Sequence, residues 1–375
     1  MTQTHLARRI GVAAVGSLVL TTSLLAPALA QDASPSAAPS ITPPPSVAPA
    51  QPPALAKPDL PAPEQTSITI GYRLPNLNSR APFLVALDRG YFADAGFTDV
   101  QLVQTEETAP GLIGGSLQFG TVETLDTANS FAEGLPLTAV AGYQNYTANT
   151  IAVRPEISTP ADLAGKDILL GGTPGSLDFD LRAKMLADAG FDITGVPYNA
   201  VTVDGGSNAW VALFLDGKLY MTPIFNRHRQ QVLDAGGRLV LDTVDYGSDM
   251  LAANKDWAAA NPNTVQAFLS AYVRALADIK DTANADYVFS LGERAGITIT
   301  DGIRAGWPND MAFFAPFDGG FGDAANGGGL GELEGYLSAN LPEGVTVDLS
   351  QFVDAAPLNA VQTALGLAAN PAPAQ

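Results

Sequence analysis

Short apolar runs alternate with amphipathic stretches along most of the chain. SITIGY (Ser67–Tyr72) puts its large apolar groups at every second position, the period of a half-buried strand. A polar loop over 73–78 leads into a helix over 79–91. FTDVQLV at 97–103 predicts a second strand, 111–116 a short helix and LQFG at 117–120 a third strand. A helix over 125–133 ends at Gly134, and strands are expected at 137–143 and 150–154. A second series opens with DILL at 167–170 and a Gly-rich turn at 171–175. Its helix carries Leu177, Leu181 and Met185 four apart, on one face. Strand character follows at 192–203, then a helix at 208–216 closed by Gly217, a strand at 219–222, a helix at 230–235 and a strand at 238–241. The clearest helix covers 263–279, with Val265, Phe268, Leu269, Tyr272, Val273, Leu276 and Ile279 on one stripe and Asn261-Pro262 at its start. Helices at 286–294 and 331–340 flank a Gly-rich loop at 316–329, and no internal repeat is found. Strands alternating with helices predict an α/β fold with a mostly parallel sheet.

The ends of the chain read differently. Arg8 and Arg9 precede an apolar stretch from Ile10 to about Leu25, which closes on Ala28-Leu29-Ala30. That is a basic region, a short apolar core and a small-residue cleavage site, so residues 1–30 read as an export signal rather than a membrane anchor. Residues 31–65 are dominated by Pro, Ala and Ser and read as a disordered or extended spacer; 370–375 read as a short tail of the same kind.

Composition narrows the function. Hydrophobic residues make up 46% of the chain, enough for two lobes of ordinary size. There is no cysteine, which removes disulfides, thiolate metal sites, cysteine nucleophiles and attachment of lipid at a leader cysteine. A periplasmic or extracellular protein without a lipid anchor is therefore expected. The formal net charge is -19, with no basic stripe of the kind nucleic-acid binding requires.

Four stretches in order carry a resemblance. They are ALDRGYFADAGFTDVQLV at 86–103, STPADLAGKDILLGGTPGS at 158–176, LFLDGKLYMTPIFNRHRQQVLDAGGRLVLD at 213–242 and NPNTVQAFLSAYVRALADI at 261–279. Together they resemble the type II periplasmic solute-binding proteins of ABC importers, in the group of sulfonate, taurine, nitrate and thiamine-precursor receptors. Where that family commonly has Asp-Ala, this chain has Tyr220-Met221. The resemblance implies a two-lobed α/β fold, each lobe a mostly parallel sheet flanked by helices, with two hinge crossings. Residues 66–149 plus 246–369 would form one lobe and 150–245 the other, with crossings near 148–151 and 243–247. It implies a small-molecule ligand (sulfonate-, nitrate- or pyrimidine-like), an ABC permease as membrane partner, a monomer and no cofactor.

Ligands of open α/β sheets lie at the carboxyl ends of strands. On that rule the loop after the first strand offers Arg73, Asn76 and Asn78; Arg73 could pair a ligand anion, while Asn78 or Ser79 could simply cap the next helix. Thr121 and Glu123 follow the third strand, and Glu123 could meet an amine or remain a solvated loop acid. Tyr143 and Asn145 precede the first crossing, where a ring could stack on a planar ligand or pack in the core. Thr173 and Ser176 lie in a strand-to-helix turn whose free N–H groups suit an anion, with Asp178 in the first turn opposing one; the plain alternative is a Ser cap. Thr222, Phe225 and Asn226 follow a strand of the second lobe. Trp307 and the aromatic residues of 313–317 read as core packing before a ligand wall.

An enzyme is the rival class, as is a ligand-sensing surface module. His228 is the one histidine outside the leader, and neither a P-loop nor a G-x-G-x-x-G turn is present. A Ser–His triad and a histidine zinc site are thereby poor readings.

Overall fold

The computed structural model describes residues 55–322 and 329–368. The export signal at 1–30, the spacer to residue 54, positions 323–328 of the Gly-rich loop and the tail from 369 lie outside the described residues.

Eight strands form one sheet among the described residues: β1 (Ser67–Tyr72), β2 (Asp99–Gln104), β3 (Phe119–Glu123), β4 (Leu137–Val153), β5 (Asp167–Ile168), β6 (Asn199–Ala200), β7 (Met221–Ile224) and β8 (Arg238–Asn254). Their order is β2-β1-β3-β8-β4-β7-β5-β6. β1 pairs in parallel with β2 and β3, and β5 with β6 and β7. β4 and β8 are antiparallel to each other, β3 to β8 and β7 to β4. By these pairings β1 to β4 run one way and β5 to β8 the other.

The two 17-residue strands depart from the sequence reading. Separate strands at 137–143 and 150–154 are one strand, and the strand expected to stop at 241 continues to Asn254. The crossings expected near 148–151 and 243–247 form one antiparallel ladder, with Ala148 opposite Val244 and Asn149 opposite Thr243. Burial explains why the pattern hid this. Along β4 the two ends are buried and Tyr146 to Asn149 are half-buried. The middle of the strand therefore carries no apolar alternation.

The interior divides in the same way. A large apolar cluster draws on residues 68–143 and 250–361, while two smaller ones lie within 151–241. At the far end of β4, Ile151 and Val153 enter one small cluster and Ala152 the other, the alternation of a strand buried on both faces. The helix Pro262–Lys280 runs through the large cluster, with Phe268 stacked on Phe119 at 3.8 Å.

Three further differences follow from local chemistry. Strand character at 192–203 reduces to Asn199–Ala200. A helix at Asp301–Phe313 contains Gly302, Gly306 and an internal Pro308, residues that argue against a helix by propensity. Burial of Trp307 and Met311 on one side overrides that preference. The spacer expected over 31–65 is shorter than read: Pro58 is buried, Leu55 and Leu60 pack on the large cluster, and Glu64 accepts from the Asn263 and Thr264 amides at 3.0 and 2.6 Å. Glu64 thus supplies the cap that Pro262–Lys280 lacks from its own Asn261.

Candidate functional site

Strand direction fixes where the carboxyl ends meet. β3 ends at Glu123, opposite Asp249 of β8; β7 ends at Ile224, opposite Thr150 of β4, which in turn faces Asp242. Between these levels β4 and β8 pair only with each other. The ends of the outer strands therefore converge, from both sides, on the middle of the long ladder.

That middle is polar and aromatic. Asn149 and Thr243 both donate to Asp245, at 2.9 and 2.7 Å. Tyr146 and Tyr246 meet edge to face at 5.6 Å, and Tyr336, from the helix Leu330–Asn340, lies 5.8 Å from Tyr246. The Tyr146 hydroxyl donates to Glu332 at 2.5 Å, and that of Tyr246 to the Phe321 carbonyl. Burial pushes the Tyr336 hydroxyl upward, and the charges of Glu123, Asp126, Asp178 and Asp245 add to it. Those acids come from both ends of the sheet. A bulge sits beside the ring: two residues of β8, Gly247 and Ser248, oppose one of β4, and Gly247 has φ +98°.

The expected contact residues divide into groups. Arg73 donates to Asp249 at 2.7 Å, and its amide to Thr121 at 3.3 Å. Asp249 is buried; burial raises its carboxyl pKa and Arg73 pulls it back. Glu123 caps the helix Thr124–Ala132 through the Asp126 amide at 2.7 Å. Burial lifts its carboxyl to about 7; the Asp126 amide opposes this, the Asp126 and Asp249 charges add to it, and Arg73 opposes it. Arg73, Thr121, Glu123 and Asp249 thus form one group at the ends of β1 and β3.

Asn76 accepts from the Ser79 amide at 2.9 Å, closing the loop on itself. Asn78 and Asn226, from opposite ends of the ladder, both donate to Asp310: Asn226 at 3.0 Å, with Asn78 on the same carboxylate. Burial raises Asp310, and Asn226, Asn78 and Arg227 lower it. Phe225 is exposed, beside Arg227 at 5.0 Å.

Other positions are occupied by the fold itself. Tyr143 is fully buried between Phe83, Tyr272 and Phe314, and its hydroxyl donates to the Asn78 carbonyl at 3.1 Å, so its ring serves the core. Asn145 holds the Gly320 carbonyl at 2.9 Å. Thr222 is fully buried and donates to the Pro223 carbonyl at 3.3 Å. Trp307 and Phe314 pack edge to face in the core. At the turn after β5, Ser176 caps Phe179 at 3.4 Å, Asp180 takes the Gly175 amide at 3.0 Å and Asp178 pairs with Arg182 at 3.2 Å. The helix's own carboxylates meet its positive end, which leaves an external anion poorly served there. Thr173 is exposed at the rim of that turn. His228 is buried and neutral: its Nδ1 accepts from the Phe225 amide at 3.5 Å and its Nε2 lies 2.8 Å from Asn208, while burial and then Arg227 lower its pKa to about 4.

Tyr146, Asp245, Tyr246, Asp249, Asp310 and Tyr336 escaped the sequence reading. The signal for four of them was present: QNYTAN and DTVDYGSD each continue an apolar run and contain β-favouring Tyr, Thr or Val.

A model of the family described as NMT1/THI5 like matches residues 78–284, more than half of the chain. The chain belongs to the NMT1/THI5 like family. Among its relatives is the riboflavin-binding protein RibY of Chloroflexus aurantiacus, 26% identical over 268 residues, which are 68% of this chain and 72% of the relative. A solved structure from Bordetella bronchiseptica RB50 superimposes with a TM-score of 0.59 at 20% identity, covering 81% of this chain and 99% of that one. The alkanesulfonate-binding protein SsuA of Xanthomonas axonopodis pv. citri, bound to MOPS, gives 0.53 at 20% identity, covering 78% and 99%. The fold of this NMT1/THI5 like chain is accordingly that of the periplasmic binding proteins.

Proposed function

We propose that the chain is an exported, monomeric solute-binding receptor. It captures a small organic molecule between two lobes, 66–149 plus 246–369 and 150–245, without making or breaking a bond in it, and delivers it to an ABC permease. Within the range opened by the sequence, the site's chemistry favours a neutral or amine-bearing planar molecule, pyrimidine-like, over a sulfonate or nitrate.

The observation that carries this is the pairing of the site's cations. Arg73 is committed to Asp249, Arg229 to Asp242 at 2.6 Å and Arg182 to Asp178, while Arg227 donates to the Ser207 hydroxyl at 2.6 Å with the Asp310 carboxylate nearby. Among the described residues, the polar groups bonded at the half-buried Tyr146, Tyr246 and Tyr336 and beside them are carboxylates, an amide, a hydroxyl and a backbone carbonyl. Ring faces with carbonyl and carboxylate acceptors suit a flat hydrogen-bonding heterocycle. The relative named for riboflavin points the same way. Against an enzyme, both ring nitrogens of His228 are engaged within the fold, by the Phe225 amide and by Asn208.

The test is calorimetry and thermal shift of the chain without residues 1–30, against riboflavin, hydroxylated pyrimidines, alkanesulfonates and nitrate. A heterocycle should bind at micromolar Kd or better and raise the melting temperature. Binding of sulfonate or nitrate alone would overturn the ligand class. Turnover of a bound heterocycle would overturn the receptor reading.

A further inference from the structure

We propose that Asp310 is the latch that holds the two ends of the sheet together in the closed receptor, and so sets how long a ligand is retained. This rests on the reading of a chain that opens and closes around its ligand.

The helix Asp301–Phe313 is fixed to the large cluster. Lys280 donates to the carbonyls of Met311 and Phe314 at 2.5 and 3.1 Å, and the Ala315 amide donates to the Tyr143 carbonyl of β4 at 2.6 Å. Trp307 is buried in that cluster. The same helix lies against the start of the helix Asn226–Asp234, which follows β7 at the other end of the ladder. Gly302, Gly306 and Asp310 are spaced by four and share one face. A Cβ at Gly302 would stand 2.5 Å from the Arg227 carbonyl oxygen, and one at Gly306 3.1 Å from the Arg227 nitrogen. The two glycines bring the backbones together, and Asp310 completes the face by taking the Asn226 amide at 3.0 Å.

Asp310 also accepts from Asn78, in the loop after β1, whose carbonyl is held by Tyr143. One carboxylate therefore ties a loop anchored in the large cluster through Leu77 to a helix anchored in one of the smaller ones through Val232. The β4–β8 ladder is continuous through both ends, so for the ends to separate about it this contact, with the glycine packing on Arg227, must break. Asp310 is a positioning residue: it need not touch the ligand to control its release.

The experiment uses the cysteine-free background. Cysteines at Glu133→Cys and Lys184→Cys, both exposed positions, carry a fluorophore pair on the chain without residues 1–30. Distance distributions are recorded without ligand and with riboflavin at saturating concentration. Asp310→Ala and Asn226→Ala should each raise the open population of the ligand-free chain about tenfold, the effect of losing a hydrogen bond to a charge. The double variant should add little to either single, because both remove the same contact. Asp310→Asn, which keeps an acceptor, should recover part of the closed population. Gly302→Ala leaves Asp310 intact and wedges the helices apart, so it should also open the chain, and it carries the test if Asp310→Ala fails to fold. Unchanged distributions in these variants, or additive effects of Asp310→Ala and Asn226→Ala, overturn the latch. A wild-type chain whose distances are fixed and unmoved by any candidate ligand overturns the receptor reading instead.

Discussion

Nη1 of Arg73 lies 2.7 Å from Oδ1 of Asp249, and the aspartate is only 5% exposed. The loop that follows β1 is thereby fastened to β8 across the end of β3. Removing the arginine would leave a buried carboxylate without its counter-charge. Arg73→Ala should lower stability by about 2 kcal/mol in chemical denaturation, discounted because Arg73 is itself partly exposed. Adding Asp249→Asn should restore part of that loss. If Arg73→Ala melts like the wild type but no longer binds a sulfonate, the arginine belongs to an anionic ligand.

Glu123 gives the chain an unusual pH dependence. Its folded pKa of about 7 lies above the value of 4.5 it has when exposed. Between those values the folded chain holds a proton that the unfolded chain has released, so stability falls as pH rises through this window. Glu123→Gln keeps an acceptor for the Asp126 amide and removes the titration. At pH 8 it should be more stable than the wild type by on the order of 2 kcal/mol, with no difference at pH 4. A wild-type profile parallel to that of the variant between pH 4 and pH 8 would refute the assignment.

His228 acts with the opposite sign. Its folded pKa of about 4 lies below the 6.5 of an exposed imidazole, so the unfolded chain binds more protons between them. The stability it contributes is present above pH 6.5 and is lost as pH falls toward 4. His228→Gln should cost about 1 kcal/mol at pH 7 through weaker bonds to Phe225 and Asn208. Below pH 6.5 the gap to wild type should close and then reverse, by an amount on the order of 3 kcal/mol over the whole window. Subtracting the two profiles cancels the contribution of Glu123. A constant difference from pH 4 to pH 7 would show that His228 titrates normally.

Much of this arrangement was legible because each outer strand and helix buries one face. Ile68, Ile70 and Tyr72 mark β1 at its observed bounds, and the stripe from Val265 to Ile279 marks the helix Pro262–Lys280. The rule that ligands lie at strand ends also found Arg73, Glu123, Asn78 and Asn226, which the fold brings to the converging ends. What stayed hidden is the centre. Tyr146 to Asn149 and Asp242 to Asp245 belong to no apolar cluster and Tyr246 only packs on the edge of the large one, so neither stretch shows the period of a strand, although cross-strand pairing extends through both. Asp310 was hidden for another reason: Gly302, Gly306 and Pro308 make its helix look like a loop, and only the close approach to Arg227 explains the glycines. Local propensity cannot report a contact made with a segment seventy-odd residues away.

Gly247 joins the strand bulge to the tyrosine cluster, and its substitution separates two effects. With φ +98° the position is strained for any residue with a side chain, and a Cβ there would come within 2.2 Å of the Tyr336 ring. Gly247→Ala should therefore destabilise by about 2–4 kcal/mol, about 1 of it from the backbone and the rest from displacing the ring. Tyr336→Ala removes the ring and leaves the backbone term. The double variant should then be less destabilised than the sum of the singles by at least about 1 kcal/mol. The same cycle read on heterocycle binding should show loss of affinity in both singles, because either change removes Tyr336 from its place against Tyr246. Additivity in stability would mean that the ring does not occupy the space above Gly247, and the aromatic wall proposed for the ligand would lose its third member.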